Sequence, residues 1–450
     1  MSIIHKDVQS VKSLLSEPLS IPSYQRPYKW QGKHVSQLLD DVILHRSKSR
    51  YRLGTVVLHQ DDKKQQKSIV DGQQRLLTLT LLCSLLDKAR QFRPPLLEQT
   101  FSSKVTRENL QHNAAVIESR IKQLGEADRE ELIDFILHKC ELIVVRLDSL
   151  SEAFQFFDSQ NARGKELEPF DLLKAFHLRE MEHNTEDERT LCVQNWEDSV
   201  SPDHTRKQSL PSLHTIMSDY LFRLRCWADG KPGQLFSRHN IDVFKGVNLN
   251  QKSYPFASAM RALDVQVDQY NLDSVRRWDQ QIMGYPFQVD QTMLNGKRFF
   301  EYIQHYIHIY KTLFIDDKPE LRQLMNIINH YKGRSRKGDH YVRNLFFCAV
   351  MHYYDRFGDD ELEKAARLCF VWSYRIRLEQ NRVVIESIDN QARARNELLH
   401  VIRQALQPQQ VLAFPMVPVH RDSIKGTNLG NHNPEVNGLV EQFEEMGYIQ

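Results

Sequence analysis

The stretch that decides the fold of this chain is residues 68–90, SIVDGQQRLLTLTLLCSLLDKAR. Residues 68–70 form a short apolar run that predicts a strand, and DGQQR follows it at once. The stretch from Arg75 onward is apolar on nearly every side, which predicts a deeply buried helix. Gly72 permits the sharp turn that joins the two elements. The sequence therefore predicts an α/β unit with DGQQR at its strand-to-helix junction.

The residues of this junction suit the binding of an anion. The first turn of a helix has unpaired backbone N–H groups and the positive end of the helix dipole. Gln73 and Gln74 add amide donors, and Arg75 adds a forked cation that matches phosphate, while Asp71 would hold Mg²⁺ or a water molecule. The alternative is structural: Asp71 caps the helix, Gly72 turns, and Arg75, expected to face solvent, pairs with an acid elsewhere. The GxxxxGK[ST] phosphate loop is absent.

The sequence on both sides of the junction extends the α/β pattern. Strands are predicted over 53–58 and 141–147, and helices over 35–46 and 106–139. Beyond residue 185 the strand signals fade. Helical periods then recur at 211–228, 256–278, 297–314, 319–331, 340–357, 360–379 and 382–406. We therefore predict an α+β protein with an α/β domain over 1–185, a helical domain over 186–406 and a loop-rich tail over 407–450.

A second motif lies upstream, in residues 21–30, IPSYQRPYKW. Prolines on either side of Gln25 and Arg26 restrict the backbone and predict an extended segment. Its aromatic residues alternate and would share one face of a strand: Tyr24, Tyr28 and Trp30. The segment would present Gln25 and Arg26 to a phosphate or a base. The alternative is an aromatic core strand with an exposed arginine.

A third motif is residues 161–165, NARGK. Arg163 and Lys165 flank Gly164 in a short loop between helices, and such a loop can close over an anionic ligand. Asp171 follows in the first turn of the next helix. The alternative is a solvated turn, with Asp171 as an ordinary first-turn acid.

Composition and charge restrict the class of protein. Lys and Arg number 60 and Asp and Glu 58, a net charge of +2 that excludes a globally basic coat protein and a disordered acidic tail. No apolar run approaches the roughly 20 residues of a membrane span, and the start does not resemble a secretory signal. The six cysteines form no CxxC pair, and no HExxH pattern predicts a metal site. We expect reduced thiols and a cytoplasmic location.

A local basic run lies in the helical half, in residues 331–343, YKGRSRKGDHYVR. It predicts a flexible loop that opens a helix. Its cations would contact DNA phosphates without reading the base sequence: Lys332, Arg334, Arg336 and Lys337. The alternative is a solvated surface loop.

Taken together, the three motifs resemble the N-terminal module of GmrSD-type restriction endonucleases, over about residues 5–185. That family is modification-dependent (type IV), and its core resembles the ParB and sulfiredoxin-like α/β fold. The resemblance implies nucleoside triphosphate (NTP) binding and hydrolysis, with Asp71, Gln74 and Arg75 as catalytic residues. It also implies a set of nucleotide-binding residues: Tyr24, Gln25, Arg26, Gly72, Gln73, Asn161, Arg163, Gly164, Lys165 and Asp171.

The C-terminal tail departs from the fused members of that family, which carry an HNH-type nuclease. His420, His432 and Asn433 lack the strand–helix context of such a nuclease. The resemblance therefore implies an NTP-dependent sensor subunit, with NTP and Mg²⁺ as cofactors, that acts on modified or foreign DNA beside a separate HNH-type nuclease chain. Self-association into a homo-oligomer is compatible with it. Two alternatives stay open: a non-catalytic DNA- or partner-binding module, and a ParB-like nuclease that nicks DNA itself.

Overall fold

A computed structural model describes most of the chain. The described residues are 3–22, 25, 27–60, 67–87, 92–101, 103–148, 168–181, 184–200, 210–249, 254–273, 282–394, 396–425 and 438–450. Contacts divide the chain into two compact units. The first comprises Met1–Leu167 and Asn184–Val193, and the second comprises Glu168–His183 and Gln194–Gln450. The boundary predicted near 185 lies within residues 168–193, the stretch in which the chain passes between the two units.

The first unit contains a mixed five-stranded sheet. Its strands, in chain order, are β1 (Ile3–Ser10), β2 (Leu19–Ser20), β3 (Tyr51–Gln60), β4 (Lys67–Asp71) and β5 (Cys140–Leu147). The strand order is β1-β5-β3-β4-β2. β3 runs parallel to β5 and antiparallel to β4. The three predicted strands are confirmed, each slightly longer than predicted.

The helices of this unit pack around one buried helix. They are α1 (Val11–Leu15), α2 (Gly32–Leu44), α3 (Gln73–Leu86), α4 (Lys104–Ile121) and α5 (Glu126–Asp134). α3 has buried residues on all of its sides, and its leucines join the core of the sheet. This confirms the prediction drawn from its apolar sequence.

The prediction that residues 106–139 are helical is confirmed for most of the stretch, although the chain does not form one continuous helix. The chain forms α4 and α5 instead, with a break at residues 122–125. Gly125 is extended and begins α5, because glycine is a poor residue for a helix interior. A π-helical segment, Phe135–Lys139, then leads directly into β5.

The remaining helices confirm the predicted α+β class. They are α6 (Pro169–Arg179), α7 (Glu186–Val200), α8 (Leu213–Thr215), α9 (Phe222–Ala228), α10 (Ser258–Leu272), α11 (Lys297–Phe314), α12 (Arg322–His330), α13 (Lys337–Phe357), α14 (Leu362–Glu379), α15 (Ile385–Arg393), α16 (Leu398–Gln404), α17 (Pro408–Leu412) and α18 (Leu439–Glu445). The predicted helix over 382–406 is interrupted, since Asn396 is left-handed with φ of 70°. None of the helices described here is long and apolar enough to cross a membrane.

All six cysteines are buried and free. Burial raises the pKa of Cys83 and of Cys140 to about 12. A thiol needs its thiolate form to react, so these buried cysteines are inert at neutral pH.

Candidate functional site

The DGQQR motif lies where β4 ends and α3 begins. Gly72 joins them in the left-handed conformation, with φ of 92°. A β-carbon at this position would lie 2.8 Å from Cγ2 of Val56, so only glycine fits. The sequence predicted this sharp turn, and the structure confirms it.

The structural alternative predicted that Asp71 caps helix α3, and the structure shows a different N-cap. The N-cap residue is Gly72, and Asp71 instead accepts a hydrogen bond from the Gly72 N–H at its Oδ1, at 2.7 Å. A glycine N-cap offers no side chain to the first-turn amides of α3. Asp71 therefore shapes the turn, while the helix start carries no side-chain cap of its own.

Arg75 lies against β3. Its Nη1 donates to the carbonyl oxygen of Thr55 at 3.3 Å. A β-carbon on Gly54, whose φ is 118°, would lie 2.8 Å from Nη1 and 3.1 Å from Cζ of Arg75. Arg75 was expected to face solvent, but the structure shows it half-buried. Its guanidinium lies beside Gly54, in the space that the β-carbon of a larger residue would fill.

The electrostatics of Arg75 follow from this placement. Burial lowers the pKa of the Arg75 guanidinium from its usual value, and the charge of Asp71 opposes that shift. An arginine remains charged at neutral pH despite such a shift. The turn therefore carries a fixed, partly desolvated cation, a suitable group for binding phosphate.

Gln74 is buried and bonds the backbone of the upstream motif. Its Oε1 accepts from the N–H groups of Lys29, at 2.8 Å, and Trp30, at 3.1 Å. Its Nε2 donates to the carbonyl oxygen of Pro27 at 3.3 Å. The neighbouring Gln73 is also buried. The amide of Gln74 is thus engaged with residues 27–30.

Gln25 makes the reciprocal contact. Its Nε2 donates to the carbonyl oxygens of Ile69, at 3.0 Å, and Val70, at 2.8 Å, in β4. The predicted extended segment is not formed at Gln25, because its N–H donates to the carbonyl oxygen of Pro22 at 3.0 Å in a turn. The described strand nearest to it is Leu19–Ser20. Tyr28 is fully buried, as the aromatic-core alternative expected.

Helix α4 holds the same segment from the other side. Thr106 Oγ1 accepts from the Tyr28 N–H at 3.0 Å, and Asn109 Nδ2 donates to the Tyr28 carbonyl oxygen at 2.8 Å. Asn113 Nδ2 donates to the Trp30 carbonyl oxygen at 2.7 Å. Sequence reasoning missed these three residues. Their spacing, which places polar side chains on one face of a helix, is the signal that points to them.

Several predicted site residues lie outside the described part of the chain. They are Tyr24, Arg26, Asn161, Arg163, Gly164 and Lys165. Asp171 lies in the first turn of α6, within the second unit. Their grouping around the DGQQR turn stays a prediction.

The basic run in the second unit is an ordered turn rather than a flexible loop. Residues Lys332–Ser335 form a 3₁₀ turn, and α13 begins two residues later. Arg336 Nε donates to Oδ2 of the buried Asp339 at 2.9 Å, and the Tyr331 hydroxyl donates to Oδ1 at 2.8 Å. Arg336 is thereby half-buried, while the other three predicted DNA contacts are exposed: Lys332, Arg334 and Lys337.

Among the residues that the structure describes, no group of three or more His, Cys, Asp or Glu side chains is arranged to hold a metal ion.

Comparison with known families identifies both parts of the chain. Residues 9–178 match the N-terminal domain of the GmrSD restriction endonucleases, so this part is a GmrSD-type module of a restriction system. The chain belongs to a family of unknown function (DUF7834), whose match at residues 188–431 spans more than half of the sequence. No curated protein matches the chain. The predicted GmrSD resemblance is thereby confirmed.

Proposed function

We propose that this chain is the NTP-binding and NTP-hydrolysing sensor subunit of an anti-phage, modification-dependent DNA restriction system. The observation that carries the proposal is the fixed guanidinium of Arg75 beside the glycine turn that opens α3. Helix starts with a nearby cation bind phosphate groups in many proteins. The GmrSD-type module gives this site its context in a restriction system.

The chemistry assigned to the site needs few groups. Phosphoryl transfer depends mostly on positioning and on neutralising the charge of the phosphates. Arg75 and the first-turn amides of α3 would hold phosphate oxygens, and Asp71 would hold Mg²⁺ or orient a water molecule. Arg26 and the 161–165 loop are expected to complete the pocket.

The test is turnover of ATP and GTP by the purified chain, with and without DNA. Arg75→Ala should abolish hydrolysis, because the cation cannot be replaced by its neighbours. The matched control is Arg52→Ala, an exposed arginine on the same strand that Arg75 contacts. Hydrolysis by Arg75→Ala at the wild-type rate would show that the site is assigned to the wrong residues.

A non-catalytic phosphate-binding module is the second candidate. It is favoured by the engagement of Gln74, one of the three predicted catalytic residues, with the backbone of residues 27–30. In that case nucleotide or DNA would bind without turnover. Nicking of a supercoiled plasmid by the purified chain would support the third candidate, a ParB-like nuclease.

The DNA-binding surface is proposed at the start of α13. Lys332, Arg334 and Lys337 are exposed there. A β-carbon on Gly338 would lie 2.7 Å from the carbonyl oxygen of Val383, so the segment with the exposed Arg382 packs against this helix start. These cations would contact the phosphates of modified or foreign DNA. Cleavage would then fall to a separate HNH-type nuclease chain.

A further inference from the structure

The two upstream motifs of the first unit hold each other through their glutamines. Gln25, from IPSYQRPYKW, donates to two carbonyl oxygens of β4, directly before DGQQR. Gln74, from DGQQR, accepts from the N–H groups of Lys29 and Trp30. Each motif therefore contributes one side chain that bonds to the backbone of the other.

We propose that Gln25 and Gln74 are positioning residues, and we call these two side chains and their backbone partners the glutamine clasp. The clasp fixes Gln25 and residues 27–30 beside the DGQQR turn, which carries Arg75 of the proposed anion site. This inference rests on the proposed nucleotide site. It gives Gln74 a role that acts through residues 27–30 rather than through contact with the phosphates.

The place of residues 27–30 in the fold explains why amide side chains are used. Residues 27–30 belong to none of the described strands, so their backbone N–H and C=O groups must find hydrogen-bond partners outside the sheet. Gln74 supplies partners for three of these groups, and α4 supplies the others described above. Without Gln74, the N–H groups of Lys29 and Trp30 would both lose the bond to its Oε1.

The two glutamines act with opposite polarity. Two N–H groups face Gln74, so its oxygen must point toward them. Two carbonyl oxygens face Gln25, so its NH₂ group must point toward those. The hydrogen-bond network alone fixes both amide orientations. Gln74 therefore works mainly as an acceptor and Gln25 as a donor.

Because the two amides have opposite roles, replacing each by glutamate should have opposite consequences. Gln74→Glu keeps an oxygen for Lys29 and Trp30 and loses the longer bond to Pro27, whereas Gln74→Ala loses all three bonds. Gln25→Glu removes the donor and sets a carboxylate against two carbonyl oxygens. If Gln74 instead donated to a phosphate, Gln74→Glu would repel the ligand and be at least as harmful as Gln74→Ala.

The first measurement is amide hydrogen exchange at Lys29 and Trp30 in the full chain without nucleotide. Loss of an acceptor should speed exchange at these amides by about tenfold or more in Gln74→Ala. Gln74→Glu should stay near the wild-type rate. Gln73→Ala is the matched control for exchange, since Gln73 is the buried neighbour of Gln74 in the same turn.

The second measurement is calorimetric binding of non-hydrolysable ATP and GTP analogues with Mg²⁺. We expect Gln74→Ala and Gln25→Glu to weaken binding by about tenfold, and Gln74→Glu by much less. Should Gln74→Ala fail to fold, Gln74→Glu against Gln25→Glu still tests the clasp, because both add the same charge.

The outcomes separate the clasp from the proposed function. Equal loss of amide protection in Gln74→Glu and Gln74→Ala overturns the clasp. Altered protection in Gln74→Ala with unchanged nucleotide affinity overturns its positioning role. If the exchange pattern follows the clasp but the wild-type chain binds neither analogue, the nucleotide site is wrong and the glutamines only hold the fold.

Discussion

The DGQQR turn and the Lys332–Lys337 turn each carry positive charge at the start of a long helix. The two turns are held in place by different chemical groups. The first is held by neutral amides, those of Gln25 and Gln74, bonded to backbone. The second is held by a buried carboxylate, Asp339, bonded to Arg336. Amide contacts do not depend on a counter-ion, whereas a buried carboxylate depends strongly on its cation. The two turns should therefore fail in different ways.

Charge reversal at Arg336 should have the largest effect. Arg336→Glu removes the nearer of two cations beside the buried Asp339, leaving Arg377 Nη1 at 4.0 Å from Oδ2, and brings a second carboxylate toward it. Breaking a buried ion pair typically costs about 3–5 kcal/mol in the free energy of unfolding. Urea denaturation should show a loss of at least about 3 kcal/mol.

Arg334→Glu is the matched control for this prediction. Arg334 lies in the same turn but is exposed and donates only to the carbonyl oxygen of Tyr331 in the described structure. Its reversal should change the free energy of unfolding by about 0.5 kcal/mol or less. Equal destabilisation by the two variants would show that Asp339 does not organise the turn.

Gly54→Ala should have the next largest effect, at the other turn. The residue has φ of 118°, and its β-carbon would displace the Arg75 guanidinium. Backbone strain of this kind costs about 1–3 kcal/mol. Nucleotide affinity should fall as far as in Arg75→Ala. In the Arg75→Ala background, Gly54→Ala should then add no further loss of affinity, and an additive loss would mean that Gly54 acts independently of Arg75.

The turn that carries Arg75 could be predicted from sequence, because a strand, a glycine and an all-apolar helix are local signals. The clasp could not be predicted, since Gln74 bonds residues more than forty positions upstream. The strand β1 was missed for the same reason: its partner β5 lies far along the chain. What could have been inferred is that a proline-bounded segment outside the sheet needs side-chain partners for its backbone.

The salt dependence of DNA binding tests whether the second turn has any ligand. Arg334→Ala with Lys337→Ala removes two exposed cations and leaves Asp339 and Arg336 paired. If each cation contacts one phosphate, the slope of log affinity against log salt should flatten by about 1.8. The measurement is a fluorescence-anisotropy titration of duplex DNA at several salt concentrations.

The control for the DNA prediction is Lys364→Ala with Arg367→Ala. These two cations are also exposed, on α14, and pair with Glu361 and Glu363. They should leave the slope unchanged. If the slope is also unchanged in the Arg334 and Lys337 double variant, the turn does not contact DNA and is a solvated surface.

A third helix, α6, extends the comparison, because it carries Asp171 and is held by a titratable group. His177 is fully buried; its Nε2 lies 3.0 Å from the carbonyl oxygen of Phe244, and its Nδ1 accepts from the Gly296 N–H at 3.2 Å. Burial lowers its pKa well below the usual 6.5, despite the bond to Phe244. Protonation would also remove the acceptor used by Gly296.

The sign of the pH effect follows from this lowered pKa. Below pH 6.5 the unfolded chain binds a proton at His177 that the folded chain does not, so stability falls as the pH falls. Between pH 6.5 and 5.5 this loss is about 1 kcal/mol. His177→Phe keeps a ring to stack on Phe299 and should show a pH dependence smaller by that amount in urea denaturation. The exposed His340→Gln should match wild type. If His177→Phe keeps the full pH dependence, His177 is not its source. The packing of α6 then depends on pH no more than that of the DGQQR turn.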